Sequence, residues 1–189
     1  MLGKTIRNIF AGSLCQNGQM VIGKDGSMPW MGLLPSDMAR FKNLTSQPDQ
    51  NSLIMGRKTW DSIPEKFRPF DKNLPPEEAR QTIILTRNLD FHVDDPRVLV
   101  AHTLTEAVWV ARSKTVWIAG GEQVYELAMN FANFIHQTLI HREFEGDAFF
   151  PGYNYSNWET QSSQYFCAGQ GDSAKDKVDS SYTIFRRKQ

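Results

Sequence analysis

An open α/β fold, a largely parallel sheet with helices on both faces, is what this sequence predicts, and two observations carry the prediction. Short unbroken apolar runs with β-branched or aromatic content stand at 9–14, 52–55, 82–86, 98–101 and 116–119, the length and continuity of strands buried on both faces. Helix-like segments at 36–44, 57–63, 104–112 and 122–130 alternate with them, which calls for crossovers between parallel strands. In chain order, Pro35 or Ser36 opens the first helix, and Gly56 precedes the second. The Pro-rich and charged segment 64–80 is a long connection with a surface excursion at 74–78. Gly120-Gly121 leads into the fourth helix. Strand-rich segments follow at 134–144, 158–166 and 178–187, the last two flanking a Gly, Ser and Asp-rich hairpin loop at 168–176.

At 189 residues the chain has the size of one ordinary domain, spanning 1–189, with no linker composition inside it. Its 21 basic and 21 acidic side chains balance, which argues against a nucleic-acid surface or a polybasic membrane contact. The N-terminus is too polar for a signal peptide and no apolar stretch is long enough to span a bilayer, so a cytoplasmic location is expected. Cys15 and Cys167 lack the spacing of a disulfide framework or redox motif and read as packing residues. His92, His102, His136 and His141 show no metal-ligand spacing, and His136 and His141 are expected on opposite faces of one strand. No metal is expected.

Asp37 is the informative residue, a lone carboxylate in the apolar and aromatic stretch from Met28 to Phe41. Burial raises a carboxylate's pKa unless a cation or hydrogen-bond donor compensates, so such a group is a candidate binder of a protonatable flat heterocycle. Helical spacing puts Phe41 on its face and Met38 beside it. A plain helix-opening role is the alternative, since acidic residues favour helix N-termini.

Two strand-to-helix junctions carry phosphate-binding chemistry. In Met55-Gly56-Arg57-Lys58-Thr59, Gly56 allows close backbone approach and Arg57, Lys58 and Thr59 add donors at a helix start. In Ala119-Gly120-Gly121-Glu122-Gln123-Val124-Tyr125 the paired glycines permit a turn closed to other residues. Thr86-Arg87, ending a third strand, offers a guanidinium to a ribose phosphate, which suggests the phosphorylated dinucleotide.

The ordered set Ile9-Phe10-Ala11, Val21-Ile22-Gly23, Met28-Pro29-Trp30, Leu34-Pro35-Ser36-Asp37, Phe41-Lys42, Met55 to Trp60, Ala119-Gly120-Gly121, Val124-Tyr125, Phe144 to Asp147 and Phe150-Pro151 resembles the dihydrofolate reductase family along nearly the whole chain. The resemblance implies an eight-stranded, mostly parallel sheet with an antiparallel C-terminal strand, flanked by about four helices. It further implies NADPH as cofactor, dihydrofolate as substrate, antifolates such as methotrexate or trimethoprim as inhibitors, and a monomer. Asp37 matches the carboxylate that pairs with the pterin edge, Thr138 the residue bonded to that carboxylate, Trp30 the one that orders water beside it, and Tyr125 one near the nicotinamide. Ile9, Phe10, Ala11, Met38, Phe41, Ile63 and Ala119 match substrate contacts, Ala119 being smaller than the branched residue common there. Ala11, Ile22, Gly56, Arg57, Lys58, Thr59, Thr86, Arg87, Gly120, Gly121, Glu122, Gln123, Val124 and Tyr125 match cofactor contacts, with Gly120-Gly121 joined by a cis peptide. Residues 23–28 match a mobile lid and Gly146-Asp147 the loop bonded to it.

Two departures stand out. Arg80 takes the place of the arginine that grips the folate glutamate, but a longer segment, 74–80, replaces the usual short turn before it. Gln123 stands where many members carry a second basic residue for the ribose phosphate. A riboflavin-pathway pyrimidine reductase shares fold and cofactor but is not expected to pair Trp30 with Asp37. An idle folate-binding module would need only the core.

Overall fold

The computed structural model describes residues 3–47 and 49–189, so Met1 and Leu2 of the N-terminal segment lie outside it. Strands β1 (Thr5–Leu14), β2 (Met20–Gly23), β3 (Ser52–Gly56), β4 (Gln81–Leu85), β5 (Val98–Ala101), β6 (Thr115–Ile118), β7 (Phe134–Ile140), β8 (Ala148–Phe149), β9 (Trp158–Phe166) and β10 (Ser180–Arg187) form one sheet. Eight of them run in the order β5-β4-β3-β6-β1-β7-β10-β9. Pairings from β5 through β7 are parallel, and those of β10 with β7 and β9 antiparallel. Helices α1 (Pro35–Thr45), α2 (Arg57–Ser62), α3 (Leu104–Val110) and α4 (Glu122–Met129) provide the crossovers.

Side-chain alternation explains why helices cover both faces. Ile54, Ile83, Leu85, Val116 and Ile118 pack with Leu104, Ala107 and Val108 of α3 and Val124, Tyr125 and Ala128 of α4. Their neighbours Leu53, Met55, Ile84 and Trp117 point the other way, toward Trp60 of α2 and Phe41 and Leu44 of α1. With the strand period of two, a run apolar at every position must be covered twice.

Several boundaries differ from the sequence reading. Strand β1 begins at Thr5, because its polar residues Arg7 and Asn8 continue the pairing with β6 and β7. Thr86 and Ala119 lie just beyond β4 and β6. Strand β7 ends at Ile140, so His141 is not on it, and the expected opposite-face relation with His136 does not hold. Strands β2 and β8, of four and two residues, were not among the apolar runs the sequence singled out. Both cysteines are free and half-buried; the Cys15 thiol donates to Asn17 Oδ1 at 2.9 Å inside a turn, so it serves that turn as well as packing.

Residues 23–28 form a tight hairpin in which Lys24 pairs with Ser27, and Asp25 and Gly26 both adopt positive φ, the backbone of a type I′ turn. Asp147 holds this hairpin: its carboxylate accepts from Asp25 N at 3.1 Å, and its own N–H donates to Gly23 O at 3.1 Å. A Cβ on Gly146 would meet Val21 Cγ1 at 2.2 Å, so the strap lies directly on β2.

His136 is fully buried on β7, bonded through Nδ1 to the Tyr182 hydroxyl at 2.6 Å and through Nε2 to Arg7 Nη1 at 3.0 Å, with Trp117 against its ring. Burial, with the Arg7 charge adding to it, lowers its pKa from 6.5 to about 3. The unfolded chain therefore takes up a proton that the folded chain refuses. The associated stability is complete above pH 6.5 and is lost as pH falls from there toward about 3. In an NMR titration the His136 ring is expected to stay neutral down to pH 5; a midpoint near 6.5 would contradict this packing.

Candidate functional site

The site forms where α1 crosses the sheet face built by β1, β7 and β10. Register sets Ala11, Thr138 and Tyr182 side by side on these strands, so their side chains share a face. Pro35 begins α1, and Asp37 falls in its first turn, where the helix dipole favours a negative charge. The loop after β9 completes that helix start from a distance: Asp176, buried, accepts from Ser36 N at 3.0 Å and also from the Ser36 hydroxyl.

Thr138 Oγ1 donates to Asp37 Oδ1 at 2.5 Å, joining residues 101 apart in sequence. The same oxygen accepts from Arg40 Nη1 at 3.2 Å. Among the described residues no protein donor meets Oδ2. Burial pushes the Asp37 carboxyl above its usual range, while the Thr138 hydrogen bond and the Arg40 charge pull it down and the Asp176 charge raises it again. The outcome is a largely buried carboxylate, 17% exposed, with one oxygen tied down and, among the described residues, the other without a protein donor.

Around it the structure places the other expected substrate residues unevenly. Ile9 and Phe10 are buried, and the Tyr125 hydroxyl donates to the Ile9 carbonyl at 2.7 Å. Tyr125 packs on Phe10 and Phe150, and burial pushes its pKa upward, so it is a fixed donor and not a proton shuttle. Phe41, Ile63 and Ala119 line one apolar cluster beside Ile9, whereas Met38 is exposed. Trp30 is buried with Leu34, Val21 and Ile140, edge-on to Phe144, and Ala11 packs against that same cluster. Arg80 is buried and already paired: its guanidinium meets Asp71 at 2.5 and 3.2 Å, reaches Thr45 Oγ1 at 3.2 Å, and lies over Phe70. Asp71 lies in the long connection 64–80, just before the segment 74–80 that replaces the short turn, so this connection delivers its own carboxylate to Arg80.

The two glycine junctions meet. Gly56 N donates to Gly120 O at 2.8 Å, and the Gly120-Gly121 peptide is cis. Gly120 has φ +112°, and a Cβ on Gly121 would stand 3.0 Å from Thr59 Oγ1, so side chains here would fill the concavity in front of α4. That concavity, with backbone N–H groups and the Thr59 hydroxyl around it, fits a pyrophosphate. Val124 is buried beneath it, while Glu122 and Gln123 are exposed. Ile22 is half-buried on β2. Arg57 pairs with Asp61 at 2.8 Å on the surface of α2, a weak exposed pair that leaves the guanidinium exchangeable. Lys58 and Arg87 are exposed.

Sequence reasoning missed His102, Arg40 and Asp71. His102 Nδ1 lies 2.9 Å from Thr86 O, which puts an imidazole beside Arg87. Its position at the end of a strand run, just before the N-cap Thr103, was the available signal.

An α/β sheet with paired glycine junctions at its strand ends and a buried carboxylate at a helix start fits the class of nicotinamide-nucleotide-dependent reductases. The dihydrofolate reductase family model matches residues 9–187, and the chain belongs to that family. A dihydrofolate reductase from Heliothis virescens is 36% identical over 149 residues, covering 72% of this chain and 75% of that protein. One from Gallus gallus is 38% identical over 162 residues, covering 78% and 79%. A solved dihydrofolate reductase from Enterococcus faecalis, in complex with NADP(H) and RAB-propyl, superposes with a TM-score of 0.76 at 30% identity, covering 98% of this chain and 97% of that one.

Gly121→Ala is expected to weaken NADPH binding at least about tenfold, as judged by fluorescence titration, with little change in the thermal midpoint, because the added methyl fills the concavity and not the core. Unchanged affinity would place the phosphates elsewhere.

Proposed function

We propose that this chain catalyses reduction of 7,8-dihydrofolate to 5,6,7,8-tetrahydrofolate with NADPH, the reaction that serves one-carbon metabolism and thymidylate synthesis. The observation that carries the reading is Asp37: a pocket carboxylate with Oδ1 fixed by Thr138 and Oδ2 available to a ligand, in a chain of this family. NADPH supplies the hydride to the ring carbon of the C=N bond, and the adjacent nitrogen takes a proton. Asp37 pairs with the amino group and neighbouring nitrogen of the pterin, remote from the nitrogen to be protonated, so the proton arrives through water. Ile9 and Ala119 present backbone carbonyls to the far edge of the ligands, Tyr125 steadies the first of these, and Phe41 covers the ring. The glycine pair and Thr59 hold the pyrophosphate, while Arg57, Lys58 and Arg87 meet the ribose phosphate, which favours NADPH over NADH.

Arg80 anchors the glutamate tail, and to do so it must exchange Asp71 for the ligand's carboxylate. Antifolates that present a diamino edge to Asp37 bind the same pocket. The enzyme acts as a cytoplasmic monomer; two free cysteines suit a reducing compartment. Light scattering at the protomer mass supports the monomer, and a larger mass excludes it.

The direct test follows NADPH absorbance on adding dihydrofolate. Asp37→Asn is expected to keep its fold and lose hydride transfer by orders of magnitude at neutral pH, with partial recovery at acid pH, where substrate is already protonated. Full activity of that variant at neutral pH excludes the mechanism. For the tail, Arg80→Lys is expected to weaken folate relative to pteroate, which lacks the glutamate, by about tenfold, because a fork becomes a point charge. An unchanged ratio removes Arg80 from tail binding.

A further inference from the structure

Arg40 stands one helical turn beyond Asp37, on the same face of α1. Its Nη1 lies 3.2 Å from Asp37 Oδ1, and the two side chains are only 16% and 17% exposed. The guanidinium does not hang free. It sits over the Phe166 ring at 4.4 Å and the Tyr182 ring at 4.6 Å, both on the antiparallel hairpin of β9 and β10. An exposed ion pair one helical turn apart is weak and averaged away by solvent; a partly buried pair clamped between two aromatic faces is not.

The geometry has a directional consequence. Thr138 and Arg40 both bond Oδ1, so the carboxylate cannot rotate about its χ2 without breaking two contacts, and the two oxygens keep distinct roles. The charges facing Asp37 come from every element packed on it. Asp176, in the loop after β9, adds a negative charge at the start of α1. Tyr125 of α4 is buried and uncharged, Tyr182 of β10 is pushed up to about 12, and His136 of β7, bonded to Tyr182, is held neutral. Arg40 supplies the positive charge in this set.

We propose that Arg40 is a positioning residue for the reaction: clamped between Phe166 and Tyr182, it fixes the Asp37 carboxylate through Oδ1 with Oδ2 toward the substrate ring and favours its charged form. This rests on the reading of Asp37 as the pterin-binding carboxylate. It also makes the C-terminal hairpin part of the site, since Phe166 and Tyr182 hold the guanidinium that holds the carboxylate.

The test is an isotope-edited infrared titration of the Asp37 carboxyl in the ligand-free protein, assigned by its disappearance in Asp37→Asn. In Arg40→Leu the midpoint is expected to move upward, and in Arg40→Lys to stay near that of the parent, because a cation is restored. A purely structural role would lower the thermal midpoint of both variants and leave the titration where it was, which overturns the proposal. A midpoint that moves downward overturns it equally. Should Arg40→Leu fail to fold, Arg40→Gln, uncharged but hydrogen-bonding, is read on the same scale with the same criterion. An unmoved midpoint with an inactive Asp37→Asn removes Arg40 alone, whereas full turnover in Asp37→Asn removes the reading beneath it.

Discussion

A carboxylate held in an apolar wall by a hydroxyl from the facing strand is the constraint on which the rest of the site depends. Removing the water around Asp37 favours its neutral form, and specific donors, the Thr138 hydroxyl first and Arg40 after it, oppose that preference. Thr138 can be such a donor because β7 lies between β1 and β10 in fixed register, and α1 crosses above that row. Leaving a buried oxygen without its partner costs about 1–3 kcal/mol, comparable to a sizeable part of a domain's net stability. The parallel sheet, the helix start at Pro35 and the distant cap from Asp176 are thus parts of one device that aims a single oxygen.

The nucleotide side obeys a different constraint, the exclusion of atoms. Gly56 and Gly120 bond each other across the ends of neighbouring strands; a Cβ on Gly56 would abut Val124, and one on Gly121 would crowd the Thr59 hydroxyl. Charge is added loosely there, from exposed Lys58 and Arg87 and an exchangeable Arg57. The substrate side is rigid and buried, whereas the phosphate side is shaped by backbone. A reaction that needs a precise ring geometry and a tolerant grip on a long cofactor fits that division.

Much of this was legible in sequence. Unbroken apolar runs announced doubly covered strands because both faces of β3, β4 and β6 are buried. Two-residue β8 was not legible because so short a strand carries no period, and in β2 only Val21 and Ile22 are β-branched, between Met20 and Gly23. Nothing in the sequence singled out Arg40, because its aromatic partners, Phe166 and Tyr182, are more than 120 residues away. Asp71 was hidden for the opposite reason: the long connection looked like solvated surface, yet it folds one carboxylate back onto Arg80.

The central claim is that Asp37 acts as an ionic partner for the edge of a heterocycle. Its most direct measurement is the 15N chemical shift of the basic ring nitrogen of labelled trimethoprim bound to the enzyme, at a pH where the free drug is neutral. A protonated nitrogen in the parent protein and a neutral one in Asp37→Asn are expected. A neutral nitrogen in both, with trimethoprim still bound, would contradict the account, because the carboxylate would then have no charged partner.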